Sequence, residues 1–263
     1  MPATSEFDRL CVVLVSTRNP LNIGAAARAM SNMGFSRLRV VNPYEASFRE
    51  ARSAVGSASL LAQAEQYGSV AEAVADCSLV VGTTAACNRE LHQPLKLPAE
   101  GAQLIRKRLR AGSRVALLFG SEKRGLANDD LSHCHWLMHI PTRKEHVSMN
   151  LGQAVAVCLY ELARGADESR GYGQKAAAKR RPKVTAIKIA GIEDKLASAG
   201  QLERITTILI DALRTSGYLE QQSVAAKEEK VRRMVRRLDL SAKDAEVWLG
   251  MLRQVLWKMK QSQ

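Results

Sequence analysis

Three stretches of this chain carry more glycine and polar side chains than packing demands: STRNPLNIGAAARAM (Ser16–Met30), FGSEKRGLANDDL (Phe119–Leu131) and IPTRKEHVSMNLGQAV (Ile140–Val155). Each follows an apolar run that reads as a β-strand. Loops leaving the carboxyl ends of parallel strands line a common crevice, so the three point to one composite site. Turns at Gly120 and Gly125, with the backbones of Ile140 and Met149, can present bare N–H and C=O groups to a ligand. The same three stretches contain a guanidinium (Arg28), two amides (Asn22, Asn150), a hydroxyl (Ser148) and a carboxylate (Glu122).

Several familiar chemistries fail on spacing. The first loop has only Gly24 before an alanine-rich helix, without the GxGxxG of a dinucleotide fold. Gly120 and Gly125 have the separation of a phosphate-binding loop, yet Leu126-Ala127 stands where Lys-Ser/Thr is required. His133 and His135 around Cys134 could share a strand face, but no further ligands follow at metal-binding spacing, and no metal is expected. Ser148 with His146 lacks the GxSxG elbow of a hydrolase.

The elements that must position these residues follow from hydrophobic patterning. Strands are expected near Leu10–Val15, Leu38–Val41, Ser78–Gly82, Arg114–Phe119 and Trp136–Ile140. Helices are expected at Ile23–Met33, Ser57–Gln66, Ser69–Ala75, Pro98–Ala111 and Asn150–Arg164. The strand runs are apolar throughout instead of alternating, so they are covered on both faces: an α/β domain with a parallel sheet flanked by helices. Asn22 is expected to N-cap the first helix, Gly34 to take a left-handed position after it, and Pro98 to open a later one.

After Arg164 the character changes. Residues 165–190 form a basic Gly-containing linker, and 191–263 show only helical periodicity: Leu202, Ile205, Leu209, Ala212 and Leu213 before Gly217, then Val224 to Leu238, then Ala245 to Met259 behind a Ser241/Asp244 cap. Of the net charge of +13, +4 falls before Arg164 (18 basic, 14 acidic) and +9 from Arg164 onward (21 basic, 12 acidic). A polyanion is the natural partner of such a tail, and Lys230, Arg232, Arg233, Arg236 and Arg237 read as a phosphate-contacting face. The composition is 46% hydrophobic and 25% charged; no apolar run approaches the ~20 residues of a membrane span. MPATSEFDRL lacks a signal-peptide pattern, and the five cysteines form no CxxC pair, so reduced thiols and a cytoplasmic location are expected.

Asn22 with Arg28 after the first strand, FGSEKRGL after a later one, and IPTRKEHVSMNL before the last helix of the α/β domain together resemble the three motifs of the SPOUT superfamily of RNA methyltransferases, and within it the TrmH-like ribose 2′-O-methyltransferases. The resemblance spans roughly residues 8–164. It implies a C-terminal trefoil knot, a homodimer formed through the knot region, and S-adenosyl-L-methionine as cofactor. Thr83, Thr84, Ala85, Gly120, Gly125, Ile140, Val147, Ser148 and Met149 would hold that cofactor. Arg28 would reach Ser148 and Asn150 of the other subunit, clamping a phosphate or taking the 2′-hydroxyl proton. A guanidinium with a pKa above ~12 suits the clamp better. Asn22 would support its loop; Asn150 would cap a helix or orient the ribose; Glu122 would order its loop or touch the nucleotide.

The implied substrate is tRNA, at the ribose of cytidine or uridine 32 in the anticodon loop, with no membrane or DNA partner. A ribosomal-RNA 2′-O-methyltransferase and a non-catalytic RNA-binding protein are the alternatives. In-line methyl transfer needs no metal: the protein must hold the hydroxyl about 3 Å from the methyl carbon and bias its proton.

Overall fold

The computed structural model describes residues 6–52, 58–85, 91–143, 145–167, 195–219 and 224–261. Strands β1 (Leu10–Val15), β2 (Arg37–Val41), β3 (Glu65–Tyr67), β4 (Leu79–Thr84), β5 (Leu95–Lys96), β6 (Val115–Phe119) and β7 (Trp136–His139) form one sheet in the order β3-β2-β1-β6-β4-β7-β5. All six pairings are parallel. The parallel sheet inferred from unbroken apolar runs is therefore present.

Alternation along the strands sorts the core into two layers. Leu10, Val12 and Leu14 with Val115, Leu117 and Phe119 face one side, against helices α1 (Pro20–Asn32), α2 (Glu45–Arg52), α3 (Ala58–Ala62), α5 (Pro98–Arg110) and α7 (Leu151–Asp167). Cys11, Val13, Val15, Ala116 and Leu118 face the other, against α4 (Val70–Ala73) and α6 (Asn128–Ser132). No helix among the described residues is long and apolar enough to cross a membrane.

Several local expectations change. The first helix begins at Pro20, not Ile23, because Asn19 accepts the Leu21 N–H at 3.0 Å and Pro20 presets the first turn. Asn22 thus lies inside the helix, and its amide is released for other partners. Part of the helix expected over 57–66 is strand β3. There Glu65 pairs with Arg37 and Arg39 on β2 and accepts a hydrogen bond from the Tyr67 hydroxyl, so the edge pairing outweighs helical propensity. Its expected first residue, 57, lies outside the described residues. Gly34 takes φ +76° and Pro98 opens α5, as read. The linker expected over 165–190 overlaps the end of α7 at Asp167, and its remainder lies outside the described residues.

The three tail helices are α8 (Ala199–Thr215), α9 (Val224–Arg237) and α10 (Ala242–Gln261), packed around Leu202, Ile205, Val235, Ala245 and Leu249. The Ser241 hydroxyl accepts the Asp244 N–H at 3.1 Å. The tail is seated on its own α/β domain: Ala199 N donates to Cys77 O at 2.7 Å, Gly200 N to Ala75 O at 3.0 Å, and Ala199 joins the second core layer.

This seating corrects the reading of the arginine-bearing helix. Arg232 bonds Glu203, Asp129 and Ser132, Arg233 pairs with Glu229, and Arg236 is 2% exposed, bonded to Glu203 and His133. Three of the five cations thus face carboxylates of this chain, while Lys230 and Arg237 face solvent. Sequence charge alone could not show that α6 and α8 bring Asp129 and Glu203 to Arg232 and Arg236.

Candidate active site

The three polar loops meet at the carboxyl edge of β4, β6 and β7. The second and third, with the 83–85 turn, enclose a cavity of about 240 Å³ whose floor is apolar, with Phe119, Leu126, Met138, Ile140 and Leu151, while the first loop contributes no lining residue and is held to the other two by hydrogen bonds. The cavity wall contains Thr83, Thr84, Ala85, Gly120, Gly125, Val147, Ser148, Met149 and Glu122. All nine positions expected to hold a cofactor therefore line one cavity. Ser121, Lys123, Arg124 and Thr142 also line it and escaped the sequence reading, although the first three stand in the same Gly-rich run.

Glycine has a specific use here. The backbone folds back on itself from Gly120 to Gly125, with Gly125 N donating to Ser121 O at 2.8 Å. A Cβ at Gly120 would sit 2.0 Å from the Gly125 carbonyl carbon, a distance no side chain can occupy. Gly125 itself has φ +65°. Side-chain hydrogen bonds hold the other walls: Thr83 Oγ1 donates to Leu118 O at 2.9 Å, and Thr142 Oγ1 to Val147 O at 3.1 Å.

One carboxylate ties the loops together. Glu122 accepts from the backbone N–H of Asn19 at 3.1 Å and of Arg18 at 3.4 Å, and from Asn22 Nδ2 at 3.2 Å. Burial alone would raise its pKa. Backbone hydrogen bonds, that of its own amide and those of Asn19 and Arg18, together with the Asn22 amide, outweigh burial and hold it below the ordinary carboxylate value. Asn22 Oδ1 in turn accepts from Asn150 Nδ2 at 2.7 Å, while Asn150 Oδ1 caps α7 through Gly152 N at 2.9 Å. Glu122, Asn22 and Asn150 thus form a chain across all three loops. The missed cap residue, Asn19, had a signal in the Asn-Pro pair that opens the helix.

Arg28 is placed differently. It is exposed on α1, has no hydrogen-bond or ion-pair partner among the described residues, and does not line the cavity. Leu21, Ala25 and Arg28 recur at helical spacing on one exposed face of α1. Within one subunit Arg28 and Ser148 are not brought together.

The two histidines do not form a site. His133 ends α6 against Arg236 and Glu203, whereas His135 Nδ1 accepts from Val80 N at 3.1 Å. Burial pushes both imidazoles down to about 3, and the charge of Arg236 adds to it. Among the described residues no group of three or more His, Cys, Asp or Glu could hold a metal ion.

Residues 9–160 match the SpoU rRNA Methylase family. The chain belongs to this family. It is 34% identical over 247 residues to the tRNA (cytidine/uridine/adenosine-2′-O-)-methyltransferase TrmJ of Pseudomonas aeruginosa, covering 94% of this chain and 93% of the relative. It is 33% identical to the tRNA (cytidine/uridine-2′-O-)-methyltransferase TrmJ of Sodalis glossinidius, covering 92% and 89%. Among solved structures, that of TrmJ from Z. mobilis ZM4 superposes with a TM-score of 0.75 at 27% identity, over 93% of this chain and 98% of that one. The likeness to these tRNA methyltransferases therefore includes the tail helices as well as the SpoU domain.

Proposed function

We propose that this protein is an S-adenosylmethionine-dependent tRNA methyltransferase that modifies the ribose 2′-hydroxyl of cytidine or uridine 32 in the anticodon loop, acting in the cytoplasm as a homodimer. The observation that carries this reading is the cavity at the carboxyl edge of β4, β6 and β7. Its floor is apolar enough for an adenine ring, its walls offer backbone groups at Gly120, Gly125, Ile140 and Met149, and an ionised carboxylate, Glu122, stands at its rim. Lys123 and Arg124 line the same cavity, so the support for a nucleoside comes from the apolar floor and the backbone groups and not from net charge.

When bound, the sulfonium cofactor supplies a methyl group already activated for displacement. The chain's own residues do the rest by positioning. Thr83–Ala85, Gly120, Gly125, Ile140, Val147, Ser148 and Met149 hold the nucleoside. The Glu122–Asn22–Asn150 chain keeps the loops in register, and Ser148 presents a hydroxyl to the target ribose. Arg28 arrives from the second subunit, grips the phosphate beside the target nucleotide and steers its 2′-hydroxyl; a guanidinium is a donor of fixed shape suited to this.

The dimer is supported by side chains left without a covering partner. Leu21 is 79% exposed beside Arg28 on α1, with Tyr160 and Leu104 exposed on α7 and α5. The trefoil knot belongs to the same reading. It is supported by β7 lying between β4 and β5 and by the return of α7 across α1 and α5. Domain limits of 1–164, 165–190 and 191–263 complete it.

The test is incubation with methyl-labelled S-adenosylmethionine and total RNA, followed by mapping of the labelled nucleotide. Label at ribose 32 of tRNA is expected, and none on a tRNA carrying deoxyribose at that position. Label confined to ribosomal RNA would overturn the substrate assignment. Absence of any label would overturn the activity.

A further inference from the structure

On the face of the sheet opposite the site's helices, two cysteines far apart in sequence meet. Cys11 of β1 and Cys77, just before β4, have their sulfurs 3.7 Å apart, and the residues are 3% and 1% exposed. Their surroundings are polar on one side: Arg39 Nη1 lies 3.8 Å from Cys77 Sγ and is fixed by Asp76 at 2.6 Å and by Ala73 O at 2.7 Å. A buried apolar pair of thiols needs no guanidinium. Asp76 neutralises Arg39 and its carboxylate accepts from Cys77 Sγ at 3.5 Å, while the bond to Cys11 and burial push the Cys77 thiol well up, so Cys77 is the proton donor of the pair. The Cys11 thiol lies below its ordinary value, chiefly because the Cys77 thiol hydrogen-bonds to its charged form, with Arg39 adding to it against burial.

The same turn seats the tail. Cys77 O accepts from Ala199 N at 2.7 Å, and Ala75 O from Gly200 N at 3.0 Å; a Cβ on Gly200 would stand 3.0 Å from Ala75 O. The fit of α8 therefore depends on where residues 75–77 sit.

We propose that Cys11 and Cys77 are a modification site, a dithiol that hydrogen peroxide converts to a disulfide, and that the bond loosens the seat of α8. The Cys11 thiolate attacks the peroxide O–O bond, forming an S–OH group and expelling hydroxide, which leaves as water with the Cys77 proton. The Cys77 thiolate then attacks the Cys11 sulfur, forming the S–S bond and expelling the second hydroxide, which is protonated by solvent. Two thiols and one peroxide give one disulfide and two waters. Closing the sulfurs from 3.7 Å to the ~2.05 Å of a disulfide draws the 75–77 turn toward β1 and away from the start of α8. A small dithiol reverses the step by exchange.

The experiment treats the full-length protein with hydrogen peroxide and titrates thiols after denaturation. The expected count falls from five, the number of cysteines in the chain, to three, and returns to five with dithiothreitol. Chymotryptic cleavage after Leu79 separates Cys77 from Cys87, and the linked peptides should contain Cys11 and Cys77; Cys11→Ser should abolish the link. A count that stays at five, or a link that omits either residue, overturns the site. Hydrogen exchange in the segment 197–205 should quicken at least tenfold in the oxidised form. An unchanged rate in a protein shown to carry the bond overturns its coupling to the tail.

Discussion

Asn150 donates from Nδ2 to Asn22 Oδ1 at 2.7 Å, while its own Oδ1 caps α7 through the Gly152 N–H. One amide thus has two separable tasks: starting a helix and locking the third loop to the first. Asn150→Asp keeps an acceptor for the cap and removes the donor, leaving two carboxylates to compete for the Asn22 amide. Thermal stability should stay within about 1 kcal/mol, the scale of one exchanged cap. Methylation should fall about tenfold or more, the equivalent of one lost hydrogen bond. Comparable losses of melting temperature and activity would show that the link matters only through the cap.

Arg28→Ala should abolish methyl transfer while cofactor affinity, measured by calorimetry, stays within a few-fold, because Arg28 does not line the cavity. The proposed sharing of the site between two subunits has a sharper test. Arg28→Ala and Ser148→Ala chains, each inactive alone, should regain about a quarter of the wild-type rate on co-refolding, since half of the randomly paired symmetric dimers would carry one intact site of two. No recovery would place both residues in the same subunit's site.

Gly120→Ala should leave the sheet folded and remove cofactor binding, because its Cβ would stand 2.0 Å from backbone that cannot yield without opening the loop. Circular dichroism and calorimetry on the same sample separate the two outcomes.

Arg236 is buried against Glu203 and His133, and Arg236→Ala removes one of the two guanidiniums on that carboxylate, leaving Arg232 at 3.1 Å. The expected cost is about 2 kcal/mol in chemical denaturation, the scale of a lost buried charge-assisted hydrogen bond. Affinity for RNA should follow Lys230→Ala and Arg237→Ala instead, since those two side chains face solvent. A chain ended at Asp167 should be less stable than the whole, because loss of the Ala199 side chain and of the Ala199 and Gly200 N–H donors leaves the 75–77 turn after α4 uncovered.

Stability should also fall with acid in a defined window. His133 stays neutral in the folded state to about 3 but takes a proton near its ordinary value of 6.5 when unfolded. The unfolded chain therefore binds more protons between these limits, and folding loses up to ~1.4 kcal/mol per pH unit through this imidazole as pH drops. His135 contributes with the same sign. The midpoint of thermal unfolding should decline below about pH 6.5, and His133→Gln should flatten the decline; an equal slope in the variant would remove His133 as its source.

The amino-acid sequence by itself determined the α/β class, because strands buried on both faces must be apolar at every position, as in Leu10–Val15 and Val115–Phe119. It also pointed to two of the loops that line the cavity, Phe119–Leu131 and Ile140–Val155, where glycine and polar residues cluster, whereas the first loop, Ser16–Met30, lines none of it and only bonds to the other two. Boundaries were less legible: Asn19, three residues before the expected cap, starts α1, and the β3 edge is held by ion pairs to residues 26 and 28 positions away. Partner choice among charges and polar groups belonged to the tertiary structure alone. Arg232 and Arg236 meet acids from α6 and α8, and Asn22 meets Glu122 and Asn150 from loops 100 and 128 positions distant. Hydrophobic periodicity is a local property that a chain displays residue by residue. The pairing of an exposed-type side chain depends on which distant segment the fold sets beside it, and no local pattern encodes that.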